Sequence, residues 1–270
     1  MAFVFGWYPV AAALREGQPA IILLALITGG WLMLRRNRPR NREWLAGGAI
    51  GLAACLQAFP VLLMLFFAIR YRRAFVAALG TIALLNLAAA TVAVKGTFQQ
   101  WQNSVNMITQ DSVPSPGNLS IAGLITGFSR GMRWDEHVNI VVPAMLLTIA
   151  GALVFFLMRN RRGAQPERLD VEYSVFVTAM LLASPLTWER YLPIMVLPLA
   201  VLIRNWRPRH KAWELSALLA ALFFMSFSTS AFMRAYHLLS GSLGFIPGWL
   251  AISAPSFSMM AILFRLGSVE

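Results

Sequence analysis

Cysteine occurs once in the 270 residues, as Cys55 within GAIGLAACLQAF. A disulfide framework is excluded, a redox role is not expected, and the residue reads as a small buried packer. Charge is scarce too, at 13% of residues, and one-sided, with 11 acidic side chains against 23 basic ones. There is no Gly-rich phosphate loop of the Walker or dinucleotide kind and no CxxC pair. The opening MAFVFGWYPVAAALREG has no basic n-region, and Gly6, Pro9 and the Arg15–Glu16 pair interrupt it. It is therefore not a cleavable signal peptide, and it reads like the middle of a longer membrane protein.

Apolar residues fill the space, at 58% of the chain. Stretches such as PAIILLALITGGWLML and NIVVPAMLLTIAGALVFFLM are separated by four short runs that hold sixteen of the Lys and Arg residues. The runs are Arg35–Arg42, Arg70–Arg73, Arg159–Arg168 and Arg204–Lys211. Clustered cations mark the cytoplasmic ends of membrane spans. The formal charge of +12 is thus a topology signal. Nucleic-acid binding is not expected, because no basic run comes with a recognition fold or an aromatic platform. The fold class is all-α: a polytopic membrane helical bundle with broken or re-entrant helices, in one transmembrane domain over 1–270 and with no separate soluble domain.

Keeping every basic run cytoplasmic fixes a layout. Pro19–Leu34 is the first strong segment. Leu45–Ile69 is basic at both ends and carries Gln57 and Pro60 in its middle. A re-entrant or broken hairpin is the preferred reading, with one kinked span as the competitor. Ala74–Val94 crosses outward. Residues 95–136 form an extracytoplasmic loop, in which Phe98, Trp101, Val105 and Ile108 space like an amphipathic surface helix before DSVPSPGN ends it. Val138–Met158 crosses back. Val171–Ile203 is again basic at both ends and has Ser184, Pro185, Thr187, Trp188, Glu189 and Arg190 at its centre, so two helices meeting at an outward elbow are expected. Ala212–Phe232 and Trp249–Phe264 form a last pair, joined by an outward loop with Arg234, His237 and Gly241.

Ionisable residues at membrane depth are costly and mark function. Glu189 and Arg190 beside a Ser-Pro break are the best cases. Either they neutralise each other at headgroup level, or Arg190 contacts a phosphate while Trp188 stacks on a sugar or lipid. Gln18 follows the Arg15–Glu16–Gly17 boundary without an obvious structural reason. Gln57 either satisfies broken-helix backbone or touches a ligand. The outer loop offers Asp111, Asn118, Ser120, Arg130, Arg133, Asp135, Glu136 and His137. Adjacent residues such as those in WDEH rarely converge on one ion, so no metal is expected. Asn118-Leu119-Ser120 matches a glycosylation acceptor, or else forms an Asx turn leading into the next helix.

Several stretches, in order, resemble glycosyltransferase family 87, the bacterial polyprenyl-phosphate-mannose-dependent mannosyltransferases with a type C fold. They are Pro9 with Gly17–Gln18, Leu45–Phe66, PGNLSIAGL at Pro116–Leu124 and SPLTWERYLPIMVLPL at Ser184–Leu199. The resemblance implies inverting transfer of a hexose, typically mannose, from a polyprenyl-phosphate donor to an extracytoplasmic glycolipid or glycan. It implies a multi-pass protein of the bacterial inner membrane whose partners are the bilayer, that donor and that acceptor, with no further cofactor. A carboxylate deprotonates the acceptor, and basic and amide groups stabilise the departing phosphate. By position the resemblance points to Gln18, Asn118 and Ser120, and places Glu189 and Arg190 where relatives often have histidines. Gln57 stands where a lysine is common. Proteins of that fold carry their catalytic acid in a first external loop upstream of the point where this sequence begins; if the 270 residues are the whole protein, Asp111, Asp135, Glu136 or Glu189 has to substitute, or the chain is inactive alone. A non-catalytic membrane subunit and a transporter with discontinuous helices are the competing functions.

Overall fold

The computed structural model describes residues 7–35, 41–94, 96–112, 115, 117–131, 138–159, 166–205 and 212–267. Among them there are thirteen α-helices, one 3-10 segment and no strand. In chain order the helices are α1 (Tyr8–Arg15), α2 (Ala20–Arg35), α3 (Asn41–Leu56), α4 (Val61–Arg70), α5 (Arg72–Val92), α6 (Thr97–Ser112) and α7 (Ile121–Gly131). They continue as α8 (Val138–Arg159), α9 (Pro166–Ala183), the 3-10 segment Glu189–Met195, α10 (Val196–Arg204), α11 (Ala212–Phe224), α12 (Thr229–Leu243) and α13 (Phe245–Gly267). Two helices, α5 and α13, are long and apolar enough to cross a membrane, and α1 with α2 is a third candidate bent by 118°. The chain is an all-α membrane bundle.

Helix α9 is its axis. Every residue from Leu169 to Leu182 is buried, which an apolar helix tolerates only when surrounded by other helices. It packs against α2, α4, α8, α10 and α13. Phe66 of α4 lies edge-on to Tyr173, centroids 5.6 Å apart, and tilted on Phe176 at 5.4 Å. The Tyr173 hydroxyl donates to the Ile27 carbonyl of α2 at 2.9 Å, satisfying a polar atom that has no water to turn to.

The first turns of α9 gather the ends of three other helices. Asp170 is 2% exposed and binds Arg35 at 3.1 Å, Arg204 at 2.8 Å and the Trp31 indole N–H at 2.9 Å. Glu172 takes the Arg70 guanidinium, with Nε at 3.1 Å. Members of three basic runs therefore meet on two carboxylates two residues apart, and the runs share one end of the bundle. That arrangement fixes both doubtful segments. The α3–α4 stretch leaves from beside Arg35 and returns to Arg70, breaking at Gln57–Pro60, so it is a broken hairpin and not one kinked span. The α9–α10 stretch leaves from Asp170 and returns to Arg204, turning at Ser184–Trp188.

Helices α3 and α5 lie side by side and run in the same direction. A Cβ on Gly47 would sit 2.1 Å from the Ala74 carbonyl, and one on Gly51 would sit 2.7 Å from the Ala78 carbonyl. Glycines four apart against alanines four apart allow backbone contact, the main source of helix association where lipid removes the hydrophobic drive. Beyond this seam, residues 83–92 of α5 and the two that follow it are exposed throughout.

Four expectations need correction. Cys55 is exposed, not buried, because it lies beyond Ala53, the last buried residue of α3. Ala212–Phe232 is not one helix: it breaks at residues 225–228, where the Ser228 hydroxyl accepts the Ala231 N–H at 3.1 Å and caps α12. The stretch holding Arg234, His237 and Gly241 is helix α12 rather than a loop, and it packs on α13. The last helix starts at Phe245, four residues earlier than expected. In the 95–136 stretch α6 forms with Phe98 and Trp101 exposed, their rings 5.7 Å apart. The described residues of α7, in contrast, are largely buried.

Candidate functional site

Helix breaks collect at the end of the bundle opposite the arginine clusters. From Asp170 to Ala183 is fourteen residues of helix, about 20 Å of rise. Beyond it lie the turn 184–188 and the 3-10 segment. The α1–α2 bend and the α3–α4 break reach the same place: α1 and α2 both pack on the 3-10 segment, and Phe59 meets Tyr191 edge-on at 5.3 Å. The α11–α12 break joins them, since Ser226 accepts the Trp7 indole N–H at 2.9 Å. Non-helical backbone is tolerated at membrane depth only where protein buries it or a cavity receives it. Four such breaks in one place make this end the candidate site.

The turn is clamped by Asn118. Its amide nitrogen donates to the Pro185 carbonyl at 2.8 Å, and its amide oxygen accepts the N–H groups of Thr187 at 2.9 Å and Ser120 at 3.2 Å. The Leu119 N–H donates to the Thr187 carbonyl at 2.6 Å. Ser120 caps α7 by accepting the Gly123 N–H at 3.0 Å, and its hydroxyl also reaches the Pro185 carbonyl at 3.3 Å. A Cβ on Gly123 would stand 2.3 Å from the Asn118 carbonyl, so only glycine lets the first turn of α7 close on the clamp. Asn118 and Ser120 are 4% and 0% exposed. The Asx turn is what the structure contains, and an amide with both ends engaged is not placed to carry a glycan.

Beyond the clamp the chain presents Trp188, Glu189 and Arg190, all half-buried. The Arg190 guanidinium lies over the Trp188 ring, 5.4 Å from its centroid, within cation–π range. It pairs with Glu16 through Nη1, while its Nε is buried without an acceptor among the described residues. Glu189 accepts from the Tyr8 hydroxyl at 3.3 Å. Helix α1 is therefore fastened to the turn at both ends, by Tyr8 and by Glu16. Gly17 follows with φ +61°, in a conformation costly for side-chain-bearing residues, and the chain then swings into α2. Gln18, half-buried, sits at that bend, and Gln57, half-buried, opens the α3–α4 break.

The structure thus brings Gln18, Trp188, Glu189 and Arg190 to one end. Gln57 is on the break that carries Phe59 to Tyr191. Asp111 lies in α6, but its side chain is outside the described residues, as are Asp135 and Glu136 altogether. No group of three or more potential metal ligands occurs among the described residues. Two carboxylate roles escaped the sequence. Glu16 reads as an ordinary span boundary, and only the fold sets it against Arg190. Asp170 and Glu172 carried a signal that went unread: two acids within LDVEY at the mouth of an apolar segment, directly after a basic run.

The family model of glycosyltransferase family 87 matches residues 1–185. The chain belongs to that family. The match covers the α1–α2 bend, the α3–α4 break and the Asn118 clamp, and ends at Pro185 on the turn itself. A curated relative from Mycobacterium tuberculosis, a polyprenol-phosphate-mannose-dependent alpha-(1-2)-phosphatidylinositol mannoside mannosyltransferase, is 24% identical over 214 residues. Those residues are 78% of this chain and 47% of the relative, so the chain spans about half the length of the curated relative it matches. No solved structure matches. For a family 87 chain, a guanidinium stacked on an indole beside two carboxylates is an arrangement able to hold a phosphate and to take up a proton.

Proposed function

We propose that this chain transfers a hexose, mannose in the first instance, from a polyprenyl-phosphate-linked donor to a glycolipid or glycan acceptor. The work is done at the extracytoplasmic end of a single transmembrane domain in the cell membrane. Family membership and the printed activity of the mycobacterial relative support the reaction class. The arginine clusters at the opposite end support the sidedness, and with it an outer position for 95–136. The observation that carries the proposal is Arg190, a cation at the clustered helix breaks with Nε lacking an acceptor.

In this reading Arg190 holds the donor phosphate and Trp188 lies along the sugar or the first prenyl unit. Gln18 and Gln57 supply amide donors at the rim, while Asn118 and Ser120 act by fixing the turn. The acceptor hydroxyl oxygen attacks the anomeric carbon as the bond from that carbon to the phosphate oxygen breaks. The bonding pair leaves with the polyprenyl phosphate, whose growing charge Arg190 stabilises. The hydroxyl proton passes to a carboxylate. Glu189 is the assignment at this site, with Asp111, Asp135 and Glu136 the outer-loop alternatives.

The test is transfer of radiolabelled mannose from polyprenyl-phosphate-mannose to a membrane lipid extract by the purified protein, with Arg190→Ala beside it. Transfer that Arg190→Ala abolishes supports the reading. Absence of transfer by a folded protein that still binds polyprenyl phosphate would overturn it in favour of a lipid-binding membrane subunit.

A further inference from the structure

Arg190 already holds an anion. Glu16 reaches it from the last turn of α1 across 174 residues of sequence, and its side chain is 41% exposed against 28% for the arginine. Three features make the pair breakable without dismantling the site. Glu16 stands next to Gly17, whose φ of +61° places it at a bend with open space around it. The start of α1 is secured separately, by Tyr8 on Glu189 and by Trp7 on Ser226. The guanidinium is kept in position from its other side by the Trp188 ring. Losing Glu16 therefore costs Arg190 a partner and leaves its placement intact.

We propose that Glu16 is an internal stand-in for the donor phosphate, a specificity-setting residue that occupies Arg190 until a lipid-linked phosphate displaces it. The inference rests on the assignment of Arg190 as the phosphate-binding group. A phosphate accepts two parallel bonds from one guanidinium and can engage Nε as well as the Nη1 that Glu16 uses. A neutral glycolipid brings no competing charge and leaves the pair closed. After transfer, Glu16 returns to Arg190 as the polyprenyl phosphate departs, so the same carboxylate that screens entry favours product release. An ion pair this exposed is weak, which suits a contact that must exchange in every cycle.

Binding separates this inference from the reaction. Decaprenyl phosphate, without sugar, is titrated into the purified full chain in detergent, and phosphatidylglycerol is titrated in parallel. Relative to the unaltered protein, the decaprenyl phosphate affinity falls in Arg190→Ala. In Glu16→Gln it rises by about 1.5-fold to fivefold, the range a part-exposed ion pair is worth, and Glu16→Asp, which keeps the charge, restores the original value. Glu16→Ser serves as a second neutral variant should Glu16→Gln misfold, with far-ultraviolet circular dichroism as the check. Affinity that is unchanged or weaker in the neutral variants overturns the stand-in role while Arg190 remains the phosphate group. Tightening for phosphatidylglycerol alone also overturns it. Binding of decaprenyl phosphate that ignores Arg190→Ala overturns the site assignment beneath it.

Discussion

The Asn118 side-chain oxygen accepts the Thr187 backbone N–H at 2.9 Å, while its nitrogen donates to the Pro185 carbonyl at 2.8 Å. One buried amide thus replaces the helical bonds that the 184–188 turn has given up, and it does so from 69 residues away in sequence. Asn118→Asp keeps the acceptor and loses the donor, leaving the Pro185 carbonyl without its amide partner. The lost hydrogen bond is worth about 0.5–1.5 kcal/mol, and the Ser120 hydroxyl at 3.3 Å is the donor that this carbonyl keeps. We expect Asn118→Asp to lower the melting temperature in detergent and to reduce mannose transfer through kcat, with little change in donor KM. A rise in KM alone would place Asn118 on the ligand and not on the turn.

Trp188→Leu removes the ring beneath Arg190 and keeps apolar bulk. The stacking contributes about 0.5–1 kcal/mol at a part-exposed site. Donor KM should rise by about twofold to fivefold, with the melting temperature unchanged, whereas Trp188→Phe should stay near the original value. Steady-state kinetics against polyprenyl-phosphate-mannose decides it, and equal effects of Leu and Phe would show that the ring does not serve the arginine.

Asp170→Asn leaves Arg35 and Arg204 without a countercharge. Stripping a buried carboxylate from its partners costs 3–5 kcal/mol when all are dry, but Arg204 is 48% exposed, and screening brings the expectation to about 2 kcal/mol. The measurement is thermal unfolding with and without 0.5 M salt. A loss of stability in Asp170→Asn that exceeds the loss in Arg204→Gln supports the shared carboxylate, and equal losses would speak for a single pair.

Gly47→Leu drives a side chain into the Ala74 carbonyl. Overpacking of this kind costs about 1–3 kcal/mol, and the backbone on the far side cannot step aside as a side chain would. The variant should aggregate or melt early, and Gly48→Leu, whose nearest neighbour is Thr81 Oγ1 at 3.8 Å, should not. Fluorescence size-exclusion chromatography distinguishes the two.

Much of this layout was legible in the chain because arginine is so costly in lipid. A 33-residue apolar stretch with basic runs at both ends and Ser-Pro, Trp, Glu and Arg in its centre has to turn back, and α9–α10 does. The α11–α12 break left no comparable mark. In FFMSFSTSAF the serines sit among apolar residues, and only the Ser228 cap and the Trp7–Ser226 bond reveal that the helix stops there. Glu16 was illegible for a different reason. Its role is set by a partner far along the chain, and local pattern cannot tell a solvated boundary carboxylate from one facing an arginine.

Asp170 and Glu172 also impose a timetable on synthesis. Arg70 is made 102 residues before Glu172, and Arg35 earlier still, so the first four helices leave the ribosome with their cationic ends unmatched. Those charges can anchor the early segments against passing through the membrane, but they cannot lock them together. The lock arrives with α9, which fastens α2 and α4 at once, and Arg204, 34 residues later, closes the last bond on Asp170. A nascent chain halted before residue 170 would therefore hold its α2–α3 and α3–α5 contacts without the charge lock that ties α2 and α4 to the centre of the bundle.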